Sequence, residues 1–159
     1  MTAYESTTVS VEKSQGEIRA MLAKHGAVSF AFGEEVDDVG VRWAAVTFKS
    51  MGLVVRIRVP HKPIDRGELA RKIQRSRSKD ARTIEFEMGE QEARRIWRVM
   101  AWNMKARLVA VDEHVETFAE AFLAHIVDPA TNRTIYDHLS DTGSIDFGQP
   151  IAGLLEAGA

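Results

Sequence analysis

The sequence predicts an α+β fold, in which an antiparallel meander of three to four strands packs on one long C-terminal helix, with a short helix near the N-terminus. Two hydrophobic periods predict it. Residues 27–59 contain segments of alternating polar and apolar side chains, which is the period of a half-buried strand. From Glu90 onward, apolar residues recur every three or four positions, which is typical of an amphipathic helix. The chain of 159 residues has the length of a single domain. We expect that domain over residues 14–139, between an N-terminal arm (1–13) and a C-terminal tail (140–159).

The short N-terminal helix is predicted over residues 14–25. Ser14 and Glu17 have the spacing of a capping box, in which each side chain accepts a hydrogen bond from the backbone amide of the other residue. Gly26 stands where a left-handed C-cap is expected. The apolar residues that follow the cap share one helical face, at Ile18, Met21 and Leu22.

Strands are predicted over residues 27–33, 41–48 and 53–59. The acidic stretch EEVDDVG after the first strand predicts a loop, and the short KSMG stretch after the second predicts an antiparallel hairpin. The third strand alternates, so that Arg56 and Arg58 lie on one face of the sheet. The opposite face, which we expect to pack on the long helix, carries Leu53, Val55 and Ile57.

A basic linker over residues 61–82 follows the sheet, with one helical stretch at Gly67–Ile73. Residues 83–88 alternate again and predict a candidate fourth strand. One long helix is then predicted over residues 90–127, and a short helix from Thr134. The long helix would measure about 57 Å, which exceeds the width of a domain of this size. Either the helix bends, or part of its apolar stripe packs on another subunit, and we expect a homo-oligomer.

The composition argues against several function classes. The chain has no cysteine, which excludes a disulfide scaffold, a thiolate zinc site and a cysteine nucleophile. No apolar run approaches the roughly 20 residues of a membrane span, and the N-terminus lacks a signal-peptide pattern. We therefore expect a cytoplasmic protein with no membrane partner. The GxGxxG, P-loop, GxSxG and HExxH motifs are all missing, so we expect neither catalysis nor a bound cofactor.

A metal site is not expected either. His114 and His125 stand about three helical turns apart, which is too far to bind one ion together. The acidic pairs Glu34-Glu35 and Asp37-Asp38 share one predicted loop. Such a loop is typical of a solvated surface, and binding of a divalent cation is the alternative.

The net charge of −2 hides a strong asymmetry. Residues 56–107 contain 15 Lys or Arg against 7 Asp or Glu, while the remainder contains 6 against 16. The densest part is RKIQRSRSKDAR, residues 71–82, where six of twelve residues are basic. The predicted long helix is also split, with a basic first half and an acidic second half, which is opposite to the order that the helix dipole favours. Concentrated positive charge of this kind is typical of proteins that bind polyanions.

We therefore predict a nucleic-acid interface built from the sheet, the linker and the long helix. Trp102 lies off the apolar stripe among the helix arginines, where an exposed Trp is typical both of base stacking and of a subunit contact. A merely solvated loop is the alternative explanation of the linker. The predicted interface residues are Arg56, Arg58, Arg71, Lys72, Arg75, Arg77, Lys79, Arg82, Arg94, Arg95, Arg98 and Trp102.

Several stretches resemble a family of small uncharacterised proteins carried by phages and integrated elements of actinobacteria. They are TTVSVEKSQGEI, VSFAFG, NRTIYDHL and the whole run ARRIWRVMAWNMKARLVAVDEHVETFAEAFLAHIV. The most specific part is FAEAFLAHIV followed by a turn and RTIYDHL. The resemblance leaves out residues 61–82 and the last 15 residues, and it implies a mobile-element context.

The predicted order of a helix, three antiparallel strands and a long helix is also similar to the core of the single-strand annealing proteins of phage recombination. Those proteins bind DNA in a basic groove between hairpin and helix, and they assemble into rings or filaments. The resemblance implies a non-catalytic, phage-type protein that binds or anneals single-stranded DNA. The alternative function is that of an interaction factor that binds a host or phage protein through the acidic tail or the Trp102 face.

Overall fold

The computed structural model describes residues 3–142, which form five α-helices, a three-stranded antiparallel sheet and a two-stranded sheet. This arrangement confirms the predicted α+β class, because a meander of three strands accompanies one long helix and a short N-terminal helix. The elements in chain order are α1 (Val11–Lys24), β1 (Val28–Val36), β2 (Arg42–Ser50), β3 (Leu53–Pro60), α2 (Arg66–Arg75), α3 (Ala81–Asp112), α4 (Phe118–Phe122), β4 (Val127–Asp128), β5 (Arg133–Thr134) and α5 (Ile135–Thr142).

The first helix begins at Val11 rather than at Ser14. Ser10 is the N-cap, and its hydroxyl accepts a hydrogen bond from the Lys13 amide at 3.2 Å. Ser14 is instead fully buried inside the helix, so the prediction that it caps the helix is wrong. Ser10 offers the same capping chemistry one turn earlier, and the longer helix brings Val11 against the core. The predicted C-cap is confirmed, because Gly26 has a φ of +75°.

The first strand is longer than predicted. Glu34 and Glu35 were expected in a loop, but they pair with β2, and β1 ends at Val36. Asp37 then closes the turn, since its carboxylate accepts hydrogen bonds from the backbone amides of Val39 and Val41 and from the indole of Trp43. These hydrogen bonds lower the pKa of Asp37, and the one from the indole of Trp43 has the largest effect.

The β2–β3 hairpin has the predicted tight turn. Met51 and Gly52 both have positive φ angles, 50° and 78°, as the two central residues of a type I′ turn require. The register pairs Ser50 with Leu53 directly across this turn.

Alternation along β3 separates the two faces of the sheet as predicted. Val55 and Ile57 are buried in the core on the side of the sheet that faces α3, and Leu53 is half-buried at the hairpin. Arg56 and Arg58 point to the opposite face. The predicted register of this strand is therefore confirmed.

The candidate strand at residues 83–88 is wrong, because this stretch lies within α3. Asp80 is the N-cap of α3, and its carboxylate accepts a hydrogen bond from the Thr83 amide at 2.7 Å. Ile84 and Met88 are one helical turn apart, so their burial suits a helix as well as an alternating strand. Because Asp80 caps a helix that starts at Ala81, this stretch is helical and not extended.

The predicted long helix, residues 90–127, is wrong at both ends. α3 has 32 residues and is about 48 Å long. It ends at Asp112, and His114 adopts a left-handed conformation with a φ of 57°. Thr117 and Glu120 then form a capping box that starts α4.

The break after α3 brings two aromatic rings back to the sheet. The ring centroids of Phe118 and Phe122 lie 6.4 Å and 5.8 Å from that of Phe48, both nearly perpendicular to it. An unbroken helix would carry both rings away from the core, so their burial favours the turn over continued helix.

The core lies between the inner face of the sheet and helices α1, α3 and α4. Trp97 of α3 is fully buried, and its ring lies 6.0 Å from that of Phe32. None of the helices in residues 3–142 combines the length and the apolar character needed to cross a membrane. The other large buried side chains of the core are Ile18, Leu22, Val46, Phe48, Val55, Ile96, Met100, Met104 and Phe122.

Candidate nucleic-acid interface

The basic segment, residues 71–82, comprises the end of α2, a connection over residues 76–80 and the start of α3. α2 exceeds the predicted stretch Gly67–Ile73 at both ends. It starts at Arg66 because Asp65 caps it by accepting hydrogen bonds from two backbone amides of the first turn. All six Lys and Arg side chains of the segment are exposed. The segment therefore presents its positive charge to solvent.

Two of these six cations are held by glutamates. Lys72 pairs with Glu68 at 3.1 Å and Lys79 pairs with Glu87 at 2.5 Å. The other four form no hydrogen bond or ion pair within residues 3–142, and they are Arg71, Arg75, Arg77 and Arg82. We call these four the unpaired arginines.

The two aspartates beside the unpaired arginines are directed at helix N-termini. Hydrogen bonds from the Glu68 and Gly67 amides lower the pKa of Asp65, and Arg71 contributes a smaller electrostatic effect. Hydrogen bonds from Thr83 likewise lower the pKa of Asp80. Both carboxylates therefore remain charged in their capping role and neither forms an ion pair with an arginine of the segment.

The predicted interface arginines in the middle of α3, Arg94, Arg95 and Arg98, are already engaged within the protein. Arg95 is only 8% exposed and donates two hydrogen bonds to the Glu92 carboxylate, at 2.7 Å and 2.8 Å. The pKa of Arg95 is raised, chiefly by these hydrogen bonds. A phosphate would have to displace a partly buried ion pair to reach this guanidinium.

Arg94 and Arg98 are also held by neighbours. Arg94 donates to the side-chain oxygen of Gln91, at 2.7 Å for its shorter contact. Arg98 donates to Glu17 of α1 at 2.6 Å, and this ion pair joins two helices. Arg94 is therefore held within α3, Arg98 joins α3 to α1, and neither extends the set of unpaired arginines.

Arg56 and Arg58 lie on the sheet face opposite α3, and the structure does not bring them to the helix arginines. Arg56 donates to the backbone oxygen and the side-chain oxygen of Asn132, at 3.2 Å and 2.7 Å. Arg58 stacks over the ring of Trp43 at 4.6 Å and lies 3.3 Å from a Glu35 oxygen. The hairpin and the helix therefore do not enclose a shared basic groove.

Trp102 is also remote from the basic segment. It is 56% exposed, and its ring centroid lies 6.3 Å from that of Tyr4 in the N-terminal arm. The rise of an α-helix places it about 30 Å along α3 from Arg82. Trp102 therefore belongs to a different surface from the unpaired arginines.

Sequence reasoning missed one exposed aromatic residue beside the segment. Phe86 falls within the candidate strand over residues 83–88, but it lies on α3 and is 69% exposed. It lies one helical turn beyond Arg82. The N-cap signal at Asp80 could have revealed this position, since a helix that starts at Ala81 places Phe86 away from Ile84 and Met88.

A cavity lies beside the connection between β3 and α2. It has a volume of about 370 Å³, and acidic and basic side chains line it in similar number. The adjoining His61 is buried, and burial lowers the pKa of its imidazole. The balanced charge of this cavity gives no preference for a polyanion. Its charged lining residues are Glu5, Lys62, Asp65, Glu68, Lys72, Glu92 and Arg95.

The acidic turn offers no metal cluster. The carboxylate of Asp37 is occupied by the hydrogen bonds of the turn, and Glu34 pairs with Arg42 across the strands. Within residues 3–142, no group of three or more His, Cys, Asp or Glu side chains is arranged to hold a metal ion.

Comparison of the chain with protein-family models, with curated proteins and with solved structures found no match. The resemblance to phage and mobile-element proteins therefore stays a prediction.

Proposed function

We propose that this chain is a non-catalytic nucleic-acid-binding protein that holds single-stranded DNA by its phosphates. The observation that carries the proposal is the set of four exposed, unpaired arginines in the basic segment. A guanidinium without a partner binds a phosphate bidentately and need not first break an existing contact. The other predicted arginines are each held by a neighbour, which narrows the interface to the basic segment.

The choice of single-stranded DNA over duplex DNA is supported by the similarity in element order to single-strand annealing proteins. Contacts to phosphate position a strand but carry no sequence information, so we expect binding that depends weakly on sequence. We also propose that the protein acts in a phage or another mobile element, as the resemblance implies.

The proposal is tested by measuring the affinity for labelled single-stranded DNA over a range of salt concentrations. The test variant replaces Arg71, Arg75, Arg77 and Arg82 by Gln. The control variant removes the same number of charges from exposed lysines that make no ion pair within residues 3–142, namely Lys13, Lys24, Lys49 and Lys105. Loss of affinity in the test variant, with little change in the control variant, supports the basic segment as the interface.

A second function is favoured by a separate surface of α3. Trp102 and Val109 are 56% and 48% exposed, and Ala106 between them is also exposed. Their spacing of four and three residues places them on one face of the helix. We call this set the Trp102 row, and a row of exposed apolar side chains is typical of a protein-binding surface.

We infer that a second copy of this chain covers the Trp102 row. Residues 94–107 of α3 carry five basic side chains and no acidic one, and the end of the helix is followed by the exposed acids Glu113 and Glu116. Antiparallel pairing of two α3 helices would set this basic stretch of each helix against the acidic end of the other. Binding of a host or phage protein is the alternative, and a monomeric chain in solution would favour it.

A further inference from the structure

Phe86 is a large apolar side chain that the fold leaves in solvent. Its ring is 69% exposed, although it lies on the same helix as the fully buried Trp97. The side chain one turn before it is the unpaired Arg82. An aromatic face beside an unpaired cation is the arrangement with which proteins stack single-stranded bases and hold their phosphates.

The surface next to the ring is open. Gly89 lies three residues after Phe86, and a Cβ atom placed on it would meet nothing within 4 Å. The surface beside the ring is therefore free of other protein atoms at this position. A cavity of about 370 Å³ beside the ring is lined by Phe86, Gly89 and Ile64, by the cations Arg42 and Arg82, and by the carboxylates Glu85 and Glu90. This volume is within the range of small-ligand sites.

The cavity continues along the protein surface. A neighbouring cavity of about 310 Å³ shares Arg42, Ile64 and Gly89 with it, and extends to Val41 and His61. The two together form a groove that begins at Arg82 and passes the ring of Phe86. A strand that leaves the unpaired arginines has a path into this groove.

The charges around the ring do not prevent stacking. Glu85 is paired with Arg66 at 2.8 Å, and Arg42 is paired with Glu34. Glu90 lies one turn beyond Phe86 and is exposed. A nucleobase is neutral, so the two carboxylates that line the cavity do not repel it as they would repel a phosphate.

We propose that Phe86 is a stacking platform for one unpaired nucleobase, with Arg82 holding a phosphate beside it. The inference rests on the proposed function, because it concerns the same bound strand. It adds that the strand must offer an unpaired base, which a duplex does not. Removal of a stacking ring weakens binding of one base by about 5- to 150-fold.

The test compares two DNA ligands of equal length and charge: a single strand with normal bases, and a strand in which abasic sites replace most bases. Phe86→Ala should weaken binding of the normal strand by that factor and leave binding of the abasic strand unchanged. The salt slope should also stay unchanged, since no phosphate contact is lost. Phe86→Trp should keep the affinity of the normal strand.

Two controls separate stacking from other effects. Phe86→Leu keeps an apolar side chain without an aromatic face, so it should behave as Phe86→Ala does even if the alanine variant folds poorly. Trp102→Ala removes an exposed aromatic side chain about 24 Å away along α3, and it should affect both strands equally or not at all.

The outcomes distinguish this inference from the proposed function. If the unpaired arginines govern binding but Phe86→Ala and Phe86→Leu bind the normal strand as tightly as the parent protein, Phe86 is not a platform and the proposed function stands. If the parent protein binds neither strand, both proposals are overturned. An equal loss on both strands would also reject stacking.

Discussion

His25 joins the end of α1 to the end of α3, with its Nε2 atom 2.7 Å from an Asp112 carboxylate oxygen. Its Nδ1 atom lies 2.9 Å from the backbone oxygen of Met21. The pKa of His25 is raised above its ordinary value of 6.5, chiefly by the hydrogen bond to Met21. Burial opposes this effect, and the contact with Asp112 raises the pKa further.

The raised pKa predicts a pH-dependent stability. A histidine whose pKa is higher in the folded state stabilises the protein fully below about pH 6.5, and this contribution is lost as the pH rises through the folded pKa. Asp112→Asn should therefore lower the melting temperature more at pH 5.5 than at pH 8.5. Thermal melts of both proteins at the two pH values measure this. An equal difference at both pH values would show that Asp112 does not act through the charge of His25.

The capping box at Thr117 should stabilise the turn between α3 and α4. Thr117→Ala leaves the Glu120 amide without its side-chain partner, and loss of an N-cap costs about 0.5–2 kcal/mol. Urea unfolding measures the change. Thr8→Ala is the matched control, because Thr8 is exposed in the N-terminal arm, and its effect should stay within about 0.5 kcal/mol. Equal effects of the two substitutions would contradict the capping role.

The Glu92–Arg95 ion pair should stabilise the fold. Glu92→Gln leaves the nearly buried Arg95 without its charged partner, and we expect a loss of about 1–3 kcal/mol in the free energy of unfolding. The double variant with Arg95→Met should recover part of this loss, because no unpaired charge then remains. Urea unfolding of both variants tests the account, and a double variant less stable than Glu92→Gln would oppose it.

Self-association should depend on the Trp102 row. The chain mass is 17.7 kDa, and light scattering at tens of micromolar should give a multiple of it. Trp102→Glu places a charge in the row and should shift the protein toward the monomer. Leu123→Glu, at an exposed apolar position outside the row, is the control. A parent protein that scatters as a monomer would remove the basis for this interface.

The β2–β3 hairpin could be predicted because local sequence signals determine its burial and its register. The alternation of β3 specifies which side chains are buried, and the Met51-Gly52 turn sets the register of the hairpin. The segment at residues 83–88 was ambiguous, because Ile84 and Met88 suit either a strand or a helix. The break at His114 was missed because apolar spacing continues across it, although Thr117 and Glu120 carry the signal of a new helix.

The candidate site was predicted only in part, because pairing of charges depends on tertiary structure. The sequence shows that Arg98 is basic, but not that α1 places Glu17 2.6 Å from it. It likewise does not show that Asn132 meets Arg56. The exposed positive charge of the basic segment was evident from composition alone, whereas the exposure of Phe86 required the correct start of α3.

The salt dependence of binding to single-stranded DNA is the most direct test of whether the four unpaired arginines hold phosphates. Each phosphate that is neutralised on a single strand contributes about −0.7 to the slope of log K against log salt. Replacing the four unpaired arginines by Gln should therefore flatten the slope by about 3 units, while the variant with four lysines replaced should nearly keep the parent slope. Thermal melts must show that both variants are folded. A folded arginine variant with the affinity and salt slope of the parent protein would contradict the claim and leave the basic segment as a solvated loop.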